Sequence, residues 1–229
     1  MICQQQKVKV ARVNVSIIGT GNVGSALGGS LTRAGHTVTF YSRDEQKKSD
    51  AANAASATTA GSATDAVAGA DVIILAVPYA AAADVAREIA PAAQGKVVID
   101  TTNPLNATYS GIETKSGESA AEEIAAALPQ AHVVKAFNTV FASIQGDASA
   151  KTEAPDALFA TDNDEARTAF ESLAESIGFR PVYVGPLSAA RELEALAFLN
   201  IRIQMVNGGT WDSVIKLIDP PAKALAKAA

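Results

Sequence analysis

Apolar, β-branched runs recur along the chain at Val13–Ile18, Thr37–Tyr41, Val72–Val77, Val97–Asp100 and His132–Ala136, and Ala-rich segments with helical spacing lie between them. Strand therefore alternates with helix, the pattern of βαβ crossovers and of a parallel sheet covered on both faces. The run DVIILAV at 71–77 agrees, because a strand buried on both sides need not alternate. Beyond Ile144 the pattern changes. DALFAT at 156–161 reads as a short strand, 163–177 as a helix and RPVYVG at 180–185 as another strand. A long helix is expected from Ser188, its N-cap, with Leu193, Leu196, Leu199 and Ile203 as its apolar stripe.

The first strand runs into Gly19-Thr20-Gly21-Asn22-Val23-Gly24, a G-x-G-x-x-G match that opens a helix and leads to a second strand. In that setting the motif has a mechanism. Gly19 permits the tight turn, Gly21 lets backbone approach a pyrophosphate, and Gly24 allows the helix to pack close to the strand. The helix N-terminus then offers free N–H groups to the phosphates. The fold class is α/β: a Rossmann-type doubly wound, mainly parallel sheet with a small C-terminal α/β extension ending in a long helix. Three parts are expected: a flexible extension over 1–12, an NADP-binding Rossmann domain over 13–148, and a small domain over 149–229 that closes the cleft and offers a dimer surface.

The end of the second strand bears on the choice of nucleotide. An NAD site places a carboxylate there for the ribose 2′-hydroxyl, whereas this chain has Ser42 and Arg43, with Lys47 one helical turn on. Arg43 suits a 2′-phosphate, which a carboxylate would repel. The alternative reading makes Arg43, Lys47 and Lys48 the solvated start of a helix capped by Asp44. The ligand of an open α/β sheet lies beyond the carboxyl ends of its strands. Val77 and Pro78, Asn103 and Pro104, and Ala136, Phe137 and Asn138 should therefore surround the rest of the nucleotide; Pro and Asn are also common turn residues, and Phe137 also suits a core.

No Ser-His-Asp order, metal-ligand cluster or close carboxylate pair stands out, and His36 and His132 fall at positions that suit structural roles. No catalytic residue is assigned. A carbonyl reductase needs an acid for the developing alkoxide, whereas hydride exchange between two ring cofactors needs mainly alignment. That contrast favours a reductase acting between cofactors.

A formal net charge of -5 gives no global basic field, which sets nucleic acid aside as a partner. Cys3 is the single cysteine, no apolar run approaches a membrane span, and the first residues lack a signal-peptide core. A small-molecule ligand, no membrane association and a cytoplasmic setting are expected.

Four stretches together, IIGTGNVG (17–24), YSRDEQK (41–47), VKAFNTV (134–140) and VGPLSAARELEALAFLNIRIQ (184–204), resemble the NADPH-dependent F420 reductases and related dinucleotide-binding reductases. The resemblance implies a homodimer and reversible hydride transfer between NADP(H) and the deazaflavin coenzyme F420. It also implies that Thr20, Ser42, Arg43 and Lys47 hold the 2′-phosphate. This chain has Asn138 where those reductases have histidine, and Tyr79 where they have tryptophan. KAFNTV is similar to the NADPH domain of six-transmembrane metalloreductases, which pass hydride to a flavin, so FMN or FAD stays open as acceptor. Two alternatives accompany this reading: a non-enzymatic NADP(H) sensor or regulatory protein, and a relative of the 3-hydroxy-acid dehydrogenases or pyrroline-carboxylate reductases.

Overall fold

The structure is a computed structural model that describes residues 11–114 and 117–225. Most of the expected N-terminal extension, including Cys3, and the last four residues of the C-terminal tail lie outside the described residues. The strands are β1 (Asn14–Ile18), β2 (Thr37–Tyr41), β3 (Thr58–Thr59), β4 (Val72–Leu75), β5 (Val97–Asp100), β6 (His132–Ala136), β7 (Asp156–Ala160) and β8 (Arg180–Gly185). The helices are α1 (Asn22–Arg33), α2 (Glu45–Ala55), α3 (Ala63–Ala68), α4 (Tyr79–Ile89), α5 (Ala120–Ala127), α6 (Ala142–Gly146), α7 (Asp164–Ser176) and α8 (Ala190–Asn207).

All these strands join one sheet in the order β3-β2-β1-β4-β5-β6-β7-β8. Pairing is parallel from β3 to β6, β7 runs antiparallel to β6, and β8 is parallel to β7. The central strands are buried on both sides, which is why β4 reads as the continuous apolar run VIIL and β1 as NVSII, with Ser16 buried among its apolar residues. One face packs under α1, α2 and α7, the other under α3, α4 and α5. The C-terminal segment adds its two strands to this same sheet, and α8 lies on them through Leu193, Leu158 and Val182.

Three sequence expectations change. The third apolar run leaves the ladder at Leu75 rather than Val77, because Pro78 starts α4 as its N-cap residue. Ser188 is not the cap of the long helix. It lies in a 3-10 turn, Leu187–Ala189, and α8 begins after Ala189 with no side-chain cap, the Ala189 N–H being used by the Pro186 carbonyl at 2.8 Å. The expected apolar stripe is also displaced. Leu193 is buried, but Leu199 and Ile203 are 54% and 49% exposed, while Glu194, Ala197, Asn200 and Gln204 face inward. The buried side of α8 is partly polar, so hydrophobic periodicity alone points to the wrong face.

His36 is buried beneath the sheet's other end. Its Nδ1 accepts from the Val13 N–H at 3.2 Å, Nε2 meets the Ser176 hydroxyl at 2.9 Å, and burial holds its pKa below the usual value. These contacts make His36 a tie between β1 and α7, away from the nucleotide side.

Candidate functional site

The parallel strands all end at one edge of the sheet, and the residues that follow them gather there. At β1 the chain turns through Gly19, whose φ of +113° is left-handed and whose N–H reaches the Tyr41 carbonyl at 2.8 Å. A Cβ on Gly24 would stand 2.0 Å from the Gly19 carbonyl oxygen, so the first turn of α1 must press directly on the loop. Gly21 is different. It caps α1 in an extended conformation, and a Cβ there would meet nothing within 4 Å.

The N-termini of α2, α5 and α7 are closed by Asp44, Ser119 and Asn163, whose side chains accept from backbone N–H groups. At α1 no side chain does this, and its first turn carries no acidic residue. Its N–H groups and the open space at Gly21 fit a pyrophosphate. Thr20, Asn22 and Val23 complete this turn, with the Thr20 carbonyl accepting from the Ser25 hydroxyl at 3.2 Å.

Beyond β2, the Ser42 hydroxyl accepts from the Asp44 N–H at 3.3 Å, and Arg43 and Lys47 are exposed. Asp44 caps α2 through the Lys47 N–H at 3.0 Å, the contact that does most to hold its carboxyl below the usual range. Lys47 pairs loosely with the same carboxylate at 3.5 Å. Lys48 is buried and donates to Glu45 at 2.8 Å and to the Ala60 carbonyl at 3.0 Å, which removes it from any solvated cation cluster.

Where the ends of β5 and β6 face α8, a cavity of about 120 Å³ is lined by Val23, Thr101, Asn103, Asn138, Phe141 and Asn200, among others. An open groove of about 820 Å³ also borders Asn103, with Pro78, Tyr79, Tyr109 and Glu113 in its wall. Asn103 and Asn138 are joined twice: Asn138 Nδ2 donates to Asn103 Oδ1 at 3.1 Å, and Asn103 Nδ2 donates to the Asn138 carbonyl at 2.9 Å. The preceding residue, Phe137, has a left-handed φ of 61°. Its carbonyl accepts from Gln145 Nε2 at 2.9 Å, and its ring packs on Phe170 and Phe179 at 5.2 and 5.5 Å. Ala136 and Phe137 thus put their side chains into the core, Pro104 is buried, and Val77 is half-buried beside the Gly19 turn.

Tyr79 donates to Glu123 at 3.1 Å, and burial followed by that carboxylate pushes its phenol up to about 12. It stays protonated at neutral pH. Trp211 borders the cavity from outside, edge-on to Phe141 at 5.4 Å, with its N–H held by Gln204 Oε1 and its carbonyl by the Ser143 hydroxyl.

Beneath the cavity lies a charged cluster that the motif reading does not include. Lys135 Nζ is 2.8 Å from Asp100 Oδ2, 2.8 Å from Glu194 Oε1 and 2.6 Å from the Thr102 carbonyl, and all three side chains are at most 2% exposed. The Glu194 contact is close but poorly aligned for a hydrogen bond; its other oxygen accepts from the Ala120 N–H at 3.2 Å. Burial raises the Glu194 pKa against the opposing pull of Lys135. The cluster ties β5, β6, α5 and α8 together under the loops that carry Asn103 and Asn138. A lysine inside the apolar strand and a glutamate inside a Leu/Ala helix were its sequence signals.

The fold and the glycine turn define a dinucleotide-binding protein of the Rossmann type. Residues 14–104 match the family model described as NADP oxidoreductase, coenzyme F420-dependent. The chain is 33% identical over 223 residues to the F420-dependent NADP reductase of Methanothermobacter thermautotrophicus, covering 88% of this chain and 95% of that protein. It is 29% identical over 186 residues to the rat metalloreductase STEAP3, covering 80% of this chain but 36% of that protein. A solved structure from Arthrobacter sp. FB24, of a suggested F420-dependent NADP reductase, shares the fold with a TM-score of 0.78 at 23% identity, covering 89% of this chain and all of that one. The chain belongs to the F420-dependent NADP reductase family and is an NADP-dependent oxidoreductase. Among the described residues no helix is long and apolar enough to cross a membrane.

Proposed function

We propose that this protein transfers hydride between NADP(H) and a deazaflavin or flavin acceptor, with coenzyme F420 as the leading acceptor and FMN or FAD as the others. The observation that carries the reading is the adjacency of two spaces at Asn103, the cavity beside Val23 and Asn138 and the open groove beside Pro78 and Tyr79. A nicotinamide in one space and an acceptor ring in the other would come together beside Asn103, where stacking of the two rings is what hydride transfer requires. The family description supports the same acceptor class. When bound, NADPH supplies the hydride, and the acceptor takes it up with a proton.

The chain's own residues bind and align. Gly19, Thr20, Gly21, Asn22, Val23 and Gly24 would cradle the pyrophosphate, with Val77 and Pro78 beside the ribose. Ser42, Arg43 and Lys47 would hold the 2′-phosphate, and Asn103, Pro104 and the Ala136–Asn138 backbone would close around the nicotinamide. In this reading, residues 149–229 carry α8 over the cavity and supply the dimer surface. Catalysis then rests on proximity and orientation rather than on a proton-transfer residue.

Steady-state NADPH oxidation with F420, FMN and FAD offered separately, and with NADH as nucleotide control, tests this. Rapid reduction of F420 is expected; turnover of FMN or FAD alone would reassign the acceptor, and silence with all three despite tight NADPH binding would favour a sensor. Arg43→Ala is expected to weaken NADPH by roughly tenfold or more, the loss of one charge-assisted contact, while NADH is little changed. Equal weakening of both nucleotides in titrations would remove Arg43 from the 2′-phosphate.

A further inference from the structure

We infer that Asn138 reads the carboxamide of the nicotinamide, accepting a hydrogen bond from its N–H₂ group through Oδ1; this rests on the NADP(H) reading above. Asn138 is 6% exposed and lines the cavity at the carboxyl ends of β5 and β6. Its Nδ2 donates to the Leu193 carbonyl and to Asn103 Oδ1, both at 3.1 Å. The Leu193 carbonyl can only accept, so it fixes which end of the Asn138 amide is nitrogen, and both amide hydrogens are spent. Oδ1 is left as a buried acceptor with no hydrogen-bond partner among the described residues.

A buried acceptor without a donor is costly, and a bound group that supplies an N–H recovers that cost. The rest of the wall is chemically matched to a ring amide. Val23, Phe141 and Ala197 offer apolar contact, and Thr101 has already spent its hydroxyl on the Leu75 carbonyl at 2.9 Å. Asn200 donates to the Thr139 carbonyl at 3.4 Å and accepts from Ser213 at 3.0 Å, so its amide is used at both ends. Asn138 Oδ1 is the buried side-chain oxygen of this wall that lacks a hydrogen-bond partner among the described residues. Its orientation is set by a carbonyl of α8 together with Asn103, so the reader of the ring amide is held jointly by the C-terminal helix and the loop after β5.

The test compares NADP⁺ with its 3-acetylpyridine analogue, in which a methyl group replaces the carboxamide N–H₂ and the carbonyl is kept. By calorimetric titration the wild-type protein should bind NADP⁺ about tenfold more tightly than the analogue. Asn138→Leu, which keeps the branched outline of the side chain and removes the acceptor, should bind the two alike. Equal binding by the wild type overturns the carboxamide assignment without touching the NADP(H) reading. Discrimination that survives in Asn138→Leu overturns it too, by placing the acceptor elsewhere. Should Asn138→Leu fail to fold, Asn138→Ala, which also removes the acceptor, takes its place in the same comparison. Failure of the wild type to bind NADP⁺ at all would overturn both readings.

Discussion

Replacing Gly21 with valine is expected to raise the Kd for NADPH and NADH alike by at least about 100-fold, roughly 2.7 kcal/mol, while the protein stays folded. The asymmetry follows from what surrounds each fingerprint glycine. A Cβ on Gly19 would stand 2.2 Å from the Ala76 carbonyl oxygen and one on Gly24 2.0 Å from that of Gly19, so substitution there disrupts the packing of α1 on the sheet. At Gly21 the backbone is extended and the surrounding space is open, so the fold has no use for the missing side chain. On the proposed reading, a pyrophosphate that must come close accounts for its absence. The cost to stability is that of a poorer N-cap, within about 1 kcal/mol, or a few degrees in Tm for a chain of this size. Calorimetry for binding and a thermal melt for stability check the two halves separately. A valine variant that binds normally would remove the pyrophosphate from this turn.

Lys135→Met should act in the opposite way, on stability first. Removing the cation leaves Asp100 and Glu194 facing each other where neither reaches water, and such losses cost about 3–5 kcal/mol. That corresponds to a fall in Tm of roughly 6–20 °C. The pH dependence has a definite sign. Burial already raises the Glu194 pKa, and without Lys135 it rises further. A carboxyl with a folded-state pKa above its unfolded value binds more protons in the folded protein, so its stability contribution falls as pH rises through that window. The deficit of the variant should therefore shrink as pH is lowered from neutral towards the ordinary glutamate range. Melts at several pH values check this, and a deficit independent of pH would mean that the carboxylates are not isolated by the change. Glu194→Gln should cost less, since Lys135 keeps Asp100 and the Thr102 carbonyl.

These two sites also mark what a reader of the sequence can and cannot reach. The glycine turn was legible because its logic is local: a strand, three glycines and a helix follow one another within a few residues. The five parallel strands β1, β2, β4, β5 and β6 were legible for the same reason, each carrying a local cluster of apolar and β-branched residues, unbroken in β4 and alternating with threonine in β2. The short pieces β3, α3 and α6 have too few residues to show a period. DALFAT announces a strand but not its partner, and the antiparallel seam between β6 and β7 is a pairing choice made by the whole sheet. The inward face of α8 is not legible from spacing because Glu194, Asn200 and Gln204 are buried by partners outside the helix: Lys135, Thr139 and Ser213. Leu199 and Ile203, on the other hand, give the same helical spacing while lying exposed. Periodicity counts apolar residues and does not know which polar ones will be neutralised.

The edge-on pair of Phe141 and Trp211 gives the molecule an optical property of its own. The chain has a single tryptophan, and here it is held by hydrogen bonds on both sides of its peptide against a ring that lines the cavity. Tryptophan emits where a reduced dihydronicotinamide absorbs and an oxidised pyridinium does not. Energy transfer from Trp211 would thus distinguish NADPH from NADP⁺ in the site without a label, so the redox state of the bound nucleotide becomes visible in the protein's own fluorescence.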